Sequence, residues 1–141
     1  MPRLFALKGP QGSGKSKTLI QVYEKLVATF PAAKKQFCAW SADRNICAVL
    51  NIKGKTIGIE SNNHDGHTAR SLKLFLNKRC DVIVCATSTR GISVKAVKSR
   101  FAERKITWLD LPKPASESAK KKARRAKADE IFHKVYTIIK K

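Results

Sequence analysis

A three-layer α/β sandwich with a mostly parallel sheet and one antiparallel hairpin strand is the fold this sequence predicts, and three observations predict it. Segments of strand and helix character alternate in the order β-α-β-β-β-α-β-α-β-α along the 141 residues. A glycine-rich run, Gly9-Pro10-Gln11-Gly12-Ser13-Gly14-Lys15-Ser16, lies between the first strand and the first helix. Two strands, 46–52 and 55–60, are separated only by Lys53-Gly54. A crossover between parallel strands needs a dozen or more residues, so one strand of that pair must run against the rest.

Each element has its own signal. Leu4-Phe5-Ala6-Leu7 is a short apolar run, as a buried strand requires. Leu19, Val22, Tyr23, Leu26, Val27 and Phe30 then fall on one face of a helix, which Pro31 ends. Phe37 to Trp40 reads as a second strand, and the hairpin follows. The polar stretch Ser61 to His67 is a loop, after which Thr68 or Ser71 caps a helix with Leu72, Phe75 and Leu76 inward. Asp81 to Thr87 is apolar enough for a strand buried on both faces. Ser88 to Gly91 makes a turn, and a helix with Val94, Val97 and Phe101 inward leads to the last strand, Lys105 to Leu111. Pro112-Lys113-Pro114 ends that strand. The expected organisation is a core domain at 1–112 and a basic helical extension at 113–141, capped by Ser116 or Ser118. Ile131, Val135 and Ile138, with Phe132, Tyr136 and Ile139, put an apolar stripe on its last turns; residues 120–127 have none.

The glycine run has the form G-x-x-x-x-G-K-[ST]. Cradling a phosphate needs main-chain N–H groups turned inward, which calls for glycine where side chains would collide. A lysine must reach the outer phosphates, and a hydroxyl must face Mg²⁺. On these residues the chain resembles the P-loop NTPase superfamily. The wording GPQGSGKS is similar to the loops of nucleotide kinases and small ATPases alike, and to short stand-alone P-loop proteins of bacteria and phages. The resemblance implies a bound nucleoside triphosphate and Mg²⁺. The hairpin makes the chain more similar to the small-GTPase and kinase branch than to the RecA-type branch. Small GTPases carry Asn-Lys-x-Asp after a late strand; here Pro112-Lys113-Pro114 stands instead, so ATP is the expected nucleotide.

Individual residues can then be assigned expected roles. Gly9, Gly12, Ser13, Gly14, Lys15, Ser16 and Lys17 form the nucleotide-binding set, with the main chain of 12–17 around the β-phosphate at the positive end of the first helix. Lys15 bridges the β- and γ-phosphates, and Ser16 gives one oxygen to Mg²⁺. Thr18 either contacts the α-phosphate or lies on the helix surface. An acidic partner for the metal is expected at Glu60, which ends the strand expected beside the first one, or at Asp65 just beyond it. Asp110 ends Ile106-Thr107-Trp108-Leu109-Asp110, worded like a Walker B strand, but its strand is expected at the far edge of the sheet. Arg90 is the candidate catalytic cation beside Lys15, with Arg70 second. Thr87, Ser88 and Thr89 are placed to touch phosphate or water. His64 and His67 flank Asp65 in a polar loop, where solvated histidines are commoner than a metal cluster.

Thirty Lys and Arg face ten Asp and Glu, for a net charge of +20. Such a field draws polyanions, so nucleic acid is the expected partner, bound without sequence reading; a merely solubilising surface is the alternative. No apolar run nears the roughly 20 residues that span a bilayer, and no secretory signal is visible, so a cytoplasmic location without membrane contact is expected. The four cysteines form no C-x-x-C pair, and buried reduced thiols are expected. Three functions fit: a Mg²⁺-dependent ATPase acting on or near nucleic acid, a nucleotide or small-molecule kinase with a basic lid holding Arg90, Arg100 and Arg104, or a non-catalytic nucleotide-gated adaptor. The C-terminal helix is a candidate surface for a protein partner.

Overall fold

The computed structural model describes residues 2–42, 44–62, 67–89, 91–113 and 115–141, with the backbone alone for His67. The chain runs β1 (Arg3–Lys8), α1 (Lys15–Thr29), β2 (Lys34–Trp40), β3 (Ile46–Ile52), β4 (Lys55–Glu60), α2 (His67–Asn77), β5 (Val82–Thr87), α3 (Ile92–Arg100), a 3-10 turn (Glu103–Lys105), β6 (Ile106–Asp110) and α4 (Glu117–Lys140). The six strands form one sheet in the order β2-β3-β4-β5-β1-β6. β1 pairs in parallel with β5 and β6, and β4 with β5. β3 runs antiparallel to both its neighbours. The hairpin closes with Ile52 opposite Lys55. Its two turn residues, Lys53 and Gly54, both have positive φ, the type I′ geometry that matches strand twist.

Two expectations about strand placement are corrected. β4 does not lie beside β1, because β5 stands between them. β6 is at an edge, but it pairs with β1 and is not remote from it. The physical reason lies in β5, which is buried along its whole length. A strand apolar on both faces belongs in the middle of a covered sheet, and the α2 crossover carries it there.

Helices cover both faces. On one, α1 and α4 bury Leu19, Val22, Leu26, Ile131 and Val135 against Phe5, Leu7, Leu50, Ile57, Ile59 and Val84. On the other, Leu72 and Phe75 of α2 and Val97 of α3 pack on Leu4, Ala6, Val49 and Ile83. Each large aliphatic side chain removed from water in this way contributes about 1.5–3 kcal/mol. Leu76, expected inward, is exposed, and Cys80 from the following turn fills that part of the layer instead. Val94 is half-buried, while Ser93 and Ala96 turn inward beside Val97.

α4 starts at Ser116, whose hydroxyl accepts from the Ala119 N–H at 3.2 Å. The segment expected as an extension shares the core that holds α1: Ile131, Phe132, Val135 and Ile139 are buried in it. Tyr136 packs on Phe30, and Lys25 of α1 pairs with Asp129 of α4. By contrast β2 is exposed at every position, with Phe37 and Trp40 open to solvent at the sheet edge. No helix among the described residues is long and apolar enough to cross a membrane.

Candidate functional site

The glycine run turns at the carboxyl end of β1 and feeds α1, the place where open α/β sheets take ligands. Gly12 and Gly14 have φ of 83° and 97°, a left-handed conformation that side chains resist. Gly9 is required for a different reason: a Cβ there would collide with the carbonyl of Leu111 and approach Ser13 Oγ to 2.9 Å. Gly14 caps α1 without a side-chain acceptor, and no acidic residue occupies the first turn. The first amides of the helix and its positive end are therefore left for an outside anion.

Lys15 is 6% exposed, and its ammonium donates to the carbonyls of Gly9 and Pro10, the latter at 3.2 Å. Burial holds its pKa below the usual lysine value. Thr18 is fully buried and donates back to the Gly14 carbonyl at 2.8 Å, so it is neither a surface residue nor turned toward the cleft. Ser13 is buried, and Lys17 is exposed at the rim.

The ends of β4 and β5 meet the loop here. The Gly9 N–H reaches the Thr87 carbonyl at 3.4 Å, and Ser16 Oγ donates to the Ser61 carbonyl at 2.9 Å. Ser16 and the end of β4 thus meet through main chain. The Glu60 carboxylate itself lies on the α2 face of the sheet, where it accepts from the Asn62 N–H at 2.8 Å and from the Ser71 hydroxyl. Asp110 is exposed at the end of β6, in register with Lys8, and borders a cavity with Gly9, Pro10 and Thr89. Among the described residues no three acidic, His or Cys side chains gather as a metal centre. Arg90, His64 and Asp65 lie outside the described residues. Arg70 is exposed on α2. α3 runs back across the sheet, so Arg100 and Arg104 sit at the edge opposite the loop and form no lid over it.

An open cleft of about 300 Å³ lies over the loop, lined by Pro10, Gln11, Gly12, Gly14, Lys15, Ser16 and Lys17 together with Lys120 and Arg124 of α4. Sequence reasoning missed the last two, because residues 120–127 carry no apolar stripe to show which way they face. Among the described residues, four buried polar side-chain atoms have no hydrogen-bond partner: Ser13 Oγ, Thr68 Oγ1, Thr87 Oγ1 and Arg124 Nε. All four belong to the carboxyl end of the sheet. Buried polar groups are nearly always partnered, so these four atoms leave unused hydrogen-bonding capacity at that end of the sheet.

Of the cysteines, Cys80 and Cys85 are buried and Cys47 half-buried, and burial pushes all three thiols up to about 12. Cys38, expected to be buried, is exposed on β2, with its sulfur 3.6 Å from the Tyr23 hydroxyl. Compared with family models, curated proteins and solved structures, the chain matches none.

Proposed function

We propose that this chain is a Mg²⁺-dependent ATP-binding protein of the P-loop class, a three-layer sandwich whose 9–16 loop holds the phosphates, and that it hydrolyses ATP on or near nucleic acid. One observation carries the reading: a loop with two left-handed glycines opens the uncapped N-terminus of α1 into a cleft whose charged lining is cationic. A fixed cradle of N–H groups beside Lys15 suits a polyphosphate and no neutral ligand. Lys15 would leave the carbonyls of Gly9 and Pro10 for the β- and γ-phosphates. Ser16 would give an oxygen to Mg²⁺; its acidic neighbour, acting through water, would be Glu60, once turned from Ser71, or Asp65 farther along the chain. Arg90, beyond β5, is the proposed cation on the transferred phosphate. The charge of +20 supports a polynucleotide partner, and the exposed Lys121, Lys122 and Arg125 of α4 give it a phosphate-binding surface.

The test is ATP turnover by the full chain with Mg²⁺, with and without single-stranded polynucleotide. Stimulated release of ADP supports the reading. Tight ATP binding with no turnover under either condition would instead favour a nucleotide-gated adaptor. A second reading, a kinase, is favoured by one feature. A cavity of about 420 Å³ adjoins the carboxyl ends of β1 and β5; three lysines, Lys8, Lys95 and Lys98, against one acid, Glu103, line it with Thr89 and Trp108, which suits an anionic acceptor. Transfer of labelled phosphate to a nucleoside monophosphate, in place of release to water, would select that reading.

A further inference from the structure

Arg124 is 7% exposed, and its aliphatic stem lies against the tip of the glycine loop. A Cβ at Gly14 would stand 2.6 Å from Arg124 Cδ and 3.0 Å from its Cγ. Its Nε has no partner among the described residues, and neither of the two ion pairs there, Lys25–Asp129 and Lys127–Glu130, involves it. Lys120, one turn earlier on the same helix face, lines the same cleft. Every charged side chain among the described lining residues is a cation: Lys15, Lys17, Lys120 and Arg124. A guanidinium taken from water beside other cations is unfavourable unless an anion arrives. Its planar donors suit phosphate oxygens.

The side of the loop on which α4 stands decides which phosphate. Ser16 is anchored toward β4, through the Ser61 carbonyl. On α1, Tyr23 faces β2, against Trp40 and Cys38, while Lys25 faces the other way, onto Asp129 and Phe132 of α4. α4 therefore flanks the loop on the β6 side, as does Lys113, whose Nζ would lie 3.7 Å from a Cβ at Gly12. Ser16 would hold Mg²⁺ on the β4 side, where the metal would offset the charge of the outer phosphates. The cations of α4 stand on the other side of the loop, where they would meet the end of the phosphate chain away from Mg²⁺.

We propose that Arg124 and Lys120 grip the α-phosphate of the bound nucleotide, making the C-terminal helix one wall of the site. The proposal rests on reading the 9–16 loop as an ATP site. It predicts that α4 strengthens the binding of ATP and ADP by the same factor, because both carry the α-phosphate.

Calorimetric titration of the full chain with Mg·ATP and Mg·ADP tests this. Arg124→Gln is expected to weaken both by a similar factor, about tenfold or more, and Arg124→Lys to recover part of the loss. Lys120→Gln weakens both again, less strongly, while Lys73→Gln, exposed on α2, changes neither. Loss confined to ATP would overturn the assignment by placing the contact at the γ-phosphate, and unchanged binding of both nucleotides would overturn it outright. Should Arg124→Gln not fold, Lys120→Gln decides by the same two criteria. If Lys15→Ala abolishes binding while the α4 variants bind normally, this proposal alone fails. If Lys15→Ala binds like the parent chain, the reading of the loop fails and takes the proposal with it.

Discussion

Lys15 and Arg124 reach the same cleft from opposite ends of the chain and are held there in opposite ways. The ammonium of Lys15 rests on two carbonyls of its own loop. Arg124 presses its stem on Gly14 and leaves Nε without a partner among the described residues. The position of Lys15 follows from the local chain between Gly9 and Lys15. That of Arg124 depends on α4 being packed along α1 through Ile131, Val135 and their neighbours. The site can therefore be damaged in two ways: locally at the loop, or from a distance by loosening a helix.

The largest effect should come from loosening the helix. Ile131 is fully buried, and Ile131→Ala should cost about 2–5 kcal/mol of stability by chemical denaturation. If α4 is part of the site, ATP affinity falls in the same variant at temperatures where it stays folded. Stability lost with affinity intact would sever the link between the two cations. Gly14→Ala strikes where they meet. The left-handed φ of 97° and the approach of Arg124 both oppose a methyl group, so about 1–2 kcal/mol of stability should go, together with nucleotide binding.

A pH titration separates the two cations, since an arginine stays charged throughout. Burial lowers the pKa of Lys15 in the folded chain. Between that lowered value and the ordinary lysine value the unfolded chain holds the extra proton, so this group's contribution to stability rises with pH. A bound triphosphate would restore the proton. Mg·ATP affinity should therefore decline as pH climbs through the lowered value, with proton uptake visible as different binding heats in two buffers. Lys15→Arg should flatten that decline.

The smallest effect belongs to the exposed pair between the helices. Lys25 holds the Asp129 carboxyl below the usual carboxylate range. What the pair contributes is present above the ordinary Asp pKa and is lost as pH falls through the lowered one. Salt screens such a pair, so Asp129→Asn should scarcely move the melting midpoint and should leave ATP binding unchanged. A large drop in either would mean that this pair, and not the apolar stripe, positions α4.

The loop was legible because its signal is local. Glycines at fixed spacing, a lysine and a hydroxyl, between an apolar strand and an amphipathic helix, specify a turn whatever surrounds it. The hairpin was legible for the same reason, with Lys53-Gly54 too short for anything else. Strand order was not, because consecutive elements look adjacent on paper, and only burial on both faces puts β5 between β4 and β1. Glu60 ends its strand as expected, yet side-chain alternation turns its carboxylate to the α2 side. Arg124 was hidden among basic neighbours that periodicity cannot tell apart. What distinguishes it is tertiary: Ala128 and Ile131 turn one face of α4 to α1, and that face carries Arg124 to the loop.

Everything proposed for this chain requires that residues 9–16 hold a nucleoside triphosphate through Lys15. Titration of Mg·ATP into the parent chain and Lys15→Ala, with circular dichroism to establish that both are folded, tests it directly. Saturable one-to-one binding by the parent, weakened about a hundredfold or more in the variant, is the predicted result. Equal affinities in the two folded proteins, or no binding by the parent chain, would contradict it.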